Sequence, residues 1–217
     1  MQALEHQDAE AVGRLGLLGL TLDDLDFALR GADAEARMWS PAAPPIMAGL
    51  TRWGKTSELL RLRLLPRGWT QDNPNGLPRT ISPDRDVAIV ATAGDGGTGA
   101  PRANPANRHP KGIETMRAVG RNLQLAFEFT ELFDDPDLGG NREDRAMETW
   151  LLLYHFTPDE IRAELSLPAG ITPAGFVDAW QERIILPAID LTSAAAERLG
   201  ISGTGEAADV MVTVQQR

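Results

Sequence analysis

The sequence predicts an α+β fold that is mainly helical, with helical N-terminal and C-terminal thirds around a small antiparallel sheet and one long central helix. Three observations carry that expectation. Leucines recur at helical spacing through the first third. Two short runs, Arg79-Thr80-Ile81 and Asp86 to Ala91, read as strands on either side of a turn. Two Thr-Pro pairs, Thr157-Pro158 and Thr172-Pro173, stand where later helices would open. A single domain over 1–217 is expected, helical over about 1–66, β and loop over about 67–112, and helical over about 113–217.

Leu15, Leu17, Leu18 and Leu20 end a first segment. Thr21 then reads as a helix N-cap, with Asp23 and Asp24 in the first turn, where the helix dipole favours acids. Leu22, Leu25 and Leu29 give that helix its apolar face. Pro41, Pro44 and Pro45 break the pattern, and a further helix is expected from about Ile46 to Leu65. Gly, Asn, Asp and Pro dominate residues 68–78, a turn-rich connector. The two strands follow, with Ser82-Pro83-Asp84-Arg85 as their turn. Gly94 to Gly112 is a long loop, of a length uncommon without a function or mobility. The central helix is expected from about Ile113 to Phe133, with Met116, Val119, Leu123 and Phe127 on one face.

The last third is read as helices over Glu143 to Phe156, Pro158 to Leu165, Thr172 to about Leu186 and Thr192 to Leu199. Two signals compete after Thr157. Ile161, Ala163, Leu165 and Leu167 alternate with Arg162, Glu164 and Ser166, the period of a strand. Thr157-Pro158-Asp159-Glu160 has the order of a capping box. The cap is given the greater weight here.

Composition bounds the function. The chain has no cysteine, which excludes disulfides and thiolate metal sites and makes the reducing cytoplasm the expected compartment. No apolar run approaches the roughly 20 residues of a membrane span, and the polar, acidic first ten residues do not read as a secretory signal. Net charge is −10 but uneven. Residues 1–51 carry 3 basic and 8 acidic side chains, 52–121 carry 12 and 6, and 122–217 carry 6 and 17. The middle is therefore net positive, and both lysines of the chain, Lys55 and Lys111, lie in it. Such segregation marks a site for an anionic partner, or else a segment that neutralises the acidic ends within one fold.

Several motifs fall in that middle third. Gly49 to Thr56 satisfies G-x-x-x-x-G-K-[ST], which resembles a P-loop. That resemblance implies Lys55 on phosphate and Thr56 on magnesium, as in an NTP-using enzyme. It also requires a strand just before Gly49, whereas Pro44-Pro45 precedes it and a helix is the competing reading. Gly94-Asp95-Gly96-Gly97-Thr98-Gly99 matches G-x-G-x-x-G, but the Ala100 to Pro105 stretch after it is not helical, as a dinucleotide fold would need. A glycine-rich anion-binding loop is the better functional reading. Gly96 and Gly97 would allow close backbone approach, and Arg102, Arg108, His109 and Lys111 would supply charge. Trp53 and Trp69 lie among Arg52, Arg61, Arg63 and Arg67, a mixture that can bind single-stranded nucleic acid or simply pack. His6, His109 and His155 lack ligand spacing, and an Asp137 to Glu148 calcium loop would misplace Gly139 and Arg142, so no metal site is expected. Cofactors stay unassigned.

The leading expectation is a non-enzymatic binding protein that recognises an anionic partner: a nucleotide or other phosphate-bearing ligand, a nucleic-acid backbone, or an acidic protein surface. Its candidate residues are Arg52, Lys55, Thr56, Gly96, Gly97, Arg102, Arg108, His109 and Lys111. The alternatives are a P-loop-like NTP-using enzyme, and a self-associating structural or phage and plasmid accessory protein of bacteria.

Overall fold

The computed structural model describes residues 3–127 and 147–192. The elements run β1 (Leu4–His6), α1 (Asp8–Leu17), α2 (Leu22–Ala36), α3 (Ile46–Leu64), β2 (Thr70–Asp72), β3 (Arg79–Ile81), β4 (Val87–Ala93), α4 (Ile113–Phe127), β5 (Glu148–Phe156), β6 (Glu160–Ile171), β7 (Val177–Ile185) and β8 (Ile189–Asp190). The strands form one eight-stranded sheet in the order β1-β7-β6-β5-β4-β3-β2, with β8 beside β6. It is mixed: β4 runs parallel to β5 and β1 parallel to β7, while the other pairs are antiparallel.

The mainly helical expectation is thus overturned. The three stretches read as helices, 143–156, 158–165 and 172–186, instead carry β5, the first half of β6, and β7. Trp150 to Tyr154 is a continuous apolar run because β5 lies between β4 and β6 with both faces covered, and such a strand shows no period of two. The Thr-Pro signals were real hydrogen-bonding signals attached to the wrong element. Thr157 Oγ1 accepts from the Glu160 N–H at 3.0 Å, as an N-cap would, but the Thr157 N–H also donates to Glu160 O at 2.9 Å. The pair closes the β5–β6 hairpin. Thr172 repeats this, accepting from the Phe176 N–H at 3.1 Å and closing the β6–β7 turn. A threonine that satisfies a nearby N–H fixes one turn and leaves the next element open. The alternation of Ile161, Ala163, Leu165 and Leu167, all buried on one face, decided it.

The first half follows the sequence expectation. Thr21 caps α2 reciprocally with Asp24, at 3.2 and 2.9 Å. Helix α3 and strands β3 and β4 stand where they were expected, with residues 82–86 as the connection. Helix α4 begins at Ile113 as expected, and the expected residues 128–133 of that helix lie outside the described residues, as do 193–199 of the last one. The Asp137 to Glu148 loop lies there too, apart from its last two residues.

One face of the sheet carries the main core. The cross-strand row Ala91, Leu152, Leu165 and Ile184 is in register. It packs under Leu15 of α1, Leu25 and Leu29 of α2, and Leu60 and Leu64 of α3. Burying side chains of this size contributes about 1.5–3 kcal/mol each. Val90, Leu151, Leu153, Val177 and Trp180 form a second cluster. Among the described residues no helix is long and apolar enough to cross a membrane.

Candidate functional site

The parallel pairing of β4 with β5 ends at Ala93 opposite Tyr154, and β5 continues to Phe156. The carboxyl ends of parallel strands are where open α/β sheets tend to build ligand sites. A cavity of about 720 Å³ lies there. Its walls are the first two turns of α3, the ends of β4 and β5, and the segment Arg108 to Lys111.

The long loop reaches this cavity because it is stitched to the sheet. Asp95 holds its own loop closed, accepting from the N–H groups of Gly97 at 2.9 Å and Ala106 at 3.1 Å. Asn107, almost fully buried, donates to Gly175 O and His109 O and accepts from the Val177 N–H at 2.7 Å. Trp180 donates its indole N–H to Pro105 O at 2.8 Å. The deepest anchor is Arg183, 1% exposed, which spends all five N–H donors. Two go to Glu164, one to Glu5 at 2.6 Å, and one each to the carbonyls of Ala103 and Ala100. Glu164, fully buried, also accepts from the Gly99 N–H at 2.8 Å and the Ser166 hydroxyl. Burial opposes the charge on Arg183, but the hydrogen bond and field of Glu164, with Glu5 behind it, raise its pKa above the ordinary value.

The six-residue glycine motif is thereby explained as packing. Gly99 has φ +70°, and a Cβ there would come within 3.0 Å of Arg162 and 3.1 Å of the β6 backbone. Gly175 plays the same part for the cavity wall. It has φ +83°, and a Cβ would stand 2.6 Å from Lys111 O and 2.8 Å from Lys111 N. The Lys111 N–H donates to Gly175 O at 2.8 Å in the same contact. Gly175→Ala is expected to destabilise by about 1–3 kcal/mol, combining left-handed strain with a clash. It also displaces Lys111 from the wall. Urea unfolding measures the first effect, and stability equal to the parent's would show that the turn tolerates the added side chain.

The cavity is cationic although the protein is acidic. Its walls carry Arg52, Arg108, Lys111, His109 and His155, and no carboxylate. Lys111 is half-buried, and burial lowers its pKa from 10.5 to about 8. Its ammonium hydrogen-bonds with the Thr92 hydroxyl and forms no ion pair with a carboxylate among the described residues. The Arg108 side chain is exposed and likewise has no acidic partner among the described residues. Arg52 is committed: it bonds Asp33 at 2.9 and 3.1 Å and lies 4.8 Å over the Phe156 ring. His155 Nδ1 lies 3.4 Å from Gly94 O. Burial raises the Tyr154 hydroxyl pKa well above its ordinary value of 10, with Arg52 opposing weakly, so the phenol stays protonated. Pro45, Ile46, Leu50 and Trp53 make the opposite wall apolar.

Of the nine residues singled out in the sequence, the fold brings Arg52, Arg108, His109 and Lys111 to this cavity. It takes Lys55 elsewhere, paired with Glu58 at 3.1 Å. Thr56 is fully buried in α3. That helix runs through Gly49 to Thr56, so no phosphate-cradling loop forms and the P-loop reading is corrected. Gly96 and Gly97 lie in the turn closed by Asp95, and Arg102 lies beside Glu5, which accepts from its backbone N–H at 3.1 Å. Much of the basic middle is neutralised internally: Arg63 and Arg67 bind Asp24, and Arg79 binds Asp72. A second cleft of about 420 Å³ contains Arg61, but that guanidinium serves the carbonyls of Asp72 and Arg79. Sequence reasoning missed Thr92, Tyr154 and Phe156, and set His155 aside. The signal was present in Trp150 to Tyr154, which, read as a strand parallel to β4, would have put Leu153 and Tyr154 beside Thr92 and Ala93.

No protein-family model matches the chain, and neither the curated proteins nor the solved structures compared with it give a match.

Proposed function

We propose that this protein binds a small amphipathic anion, a carboxylate or phosphate joined to an apolar group, in the cavity at the ends of β4 and β5. One observation carries the reading: a protein of net charge −10 lines a cavity of about 720 Å³ with Arg52, Arg108, Lys111 and two histidines and no carboxylate. The volume suits a small molecule, for which pockets run about 300–1,000 Å³. The first turn of α3 on the wall adds the partial positive charge of a helix N-terminus. Arg108 and Lys111 meet the charged end, and Leu50 and Trp53 cover the apolar end. The basic middle segment offers less to a nucleic-acid backbone, because Arg63, Arg67 and Arg79 are already paired with acids. A cytoplasmic location accords with a chain that carries no cysteine.

Calorimetric titration at low salt with benzoate, phenyl phosphate and uncharged benzyl alcohol tests this. The two anions bind and the alcohol does not. Arg108→Ala weakens anion binding by about tenfold or more, the worth of one charge-assisted hydrogen bond. Equal binding of the alcohol, indifference to Arg108→Ala, or preference for an oligonucleotide would overturn the reading.

A further inference from the structure

We propose that Lys111 captures the carbonyl group of a 2-oxo carboxylate with an apolar side chain, as a reversible imine, inside the cavity between α3 and the ends of β4 and β5. This deepens the anion-binding reading and rests on it.

The geometry supplies each part. An amine is a nucleophile only when it is neutral and unencumbered. Lys111 Nζ lies on the cavity wall, held by the neutral Thr92 hydroxyl with no carboxylate beside it. Arg52 from α3, Arg108 and His109 from the loop and His155 from β5 share the walls with it, no carboxylate does, and Tyr154 from β5 adds no negative charge. Burial lowers its pKa to about 8. Arg108, three residues away on the same wall, presents donors for a carboxylate adjacent to the carbonyl. Ile46, Leu50 and Trp53 face the remainder of the molecule.

The step balances without an oxidant or reductant. The Nζ lone pair forms a bond to the keto carbon as the carbonyl π bond breaks, the nitrogen gives up a proton, the oxygen takes one, and a neutral carbinolamine results. The carbon–oxygen bond then breaks, water leaves, and a protonated imine remains. Tyr154, kept protonated by burial, stands on the wall as a hydrogen-bond donor to the departing oxygen, which takes its proton from solvent.

The chain supplies its own control. Its other lysine, Lys55, is held as an ammonium by Glu58, whose hydrogen bond raises its pKa. The full chain is incubated with phenylpyruvate and sodium cyanoborohydride at about pH 8, where about half of Lys111 is neutral, and the reduced adduct is mapped by peptide mass. The expected result is one adduct on Lys111, about tenfold or more above Lys55, suppressed by phenyllactate and absent from Lys111→Arg. Phenyllactate, with a hydroxyl in place of the keto group, is titrated separately. Binding of phenyllactate without an adduct on Lys111, or labelling spread equally to Lys55, overturns carbonyl capture and leaves anion binding standing. Absence of both phenyllactate binding and adduct overturns the two together.

Discussion

Replacing Arg183 by methionine is expected to destabilise the protein by about 3–5 kcal/mol, the range for removing one partner of a buried ion pair. Glu164 is fully buried and would be left charged with only the Ser166 hydroxyl and the Gly99 N–H. The carbonyls of Ala100 and Ala103 would lose their donor as well. A double variant, Arg183→Met with Glu164→Leu, removes the stranded charge and recovers a large part of that loss. It does not restore the tether between β6, β7 and the loop over 99–103. Urea unfolding reads stability, and limited proteolysis within 94–112 reads the loop. If the single variant unfolds within about 1 kcal/mol of the parent, the network is not what holds the loop. If the double variant resists proteolysis as the parent does, the tether lies elsewhere.

Lys111→Met should act in the opposite direction at neutral pH and stabilise the protein by up to about 3 kcal/mol. Folding takes the ammonium from an ordinary pKa of 10.5 to about 8. Below pH 8 both states hold the proton, so the folded state carries the full penalty of a poorly solvated charge. Between about pH 8 and 10 the unfolded chain holds a proton that the folded chain has shed, and parent stability rises with pH. Above pH 10 Tyr154 reverses the slope, since its phenol loses its proton first in the unfolded chain. The methionine variant keeps that downturn and lacks the rise. The lost bond to Thr92 offsets part of the gain. Unfolding midpoints in urea from pH 7 to 10 test both statements. A less stable variant at pH 7, or a parent with a flat profile to pH 10, would refute the account. A residue whose removal strengthens the fold is retained for something other than the fold.

The legible half of this molecule was the half governed by local chemistry. Thr21 and Asp24 cap one another, Pro44 and Pro45 mark the start of α3, and Ser82 to Asp86 connects β3 to β4, all within a few residues of each other. The second half was decided at long range. Thr157 and Thr172 make the hydrogen bond expected of them, yet β6 is a strand because Leu165 finds Leu152 on one side and Ile184 on the other. Those partners are 13 and 19 residues away along the chain, beyond the reach of any cap. The site divided in the same way. Arg108, His109 and Lys111 were visible as basic residues in a glycine-rich loop. Arg52 was singled out as a charge of the basic middle segment, and the aromatic ring it lies over, that of Phe156, is more than 100 residues away along the chain. Lys55 and Thr56 were drawn in by a pattern that α3 satisfies with its spacing and contradicts with its hydrogen bonding.

The short strand β1 runs parallel to β7, with Leu4 opposite Glu182 and His6 opposite Ile184. Its Glu5 closes the Arg183 network. The residues of β1 therefore wait for partners made 178 positions later. Contacts that bridge so much chain carry a large loop-closure entropy and form slowly. The clamp over residues 99–103 is completed only when β7 arrives, so the cavity should mature in the last phase of folding, after α1 to α3 and β3 to β4 have assembled. A nascent chain stalled before residue 177 would hold every helix described and no finished cavity.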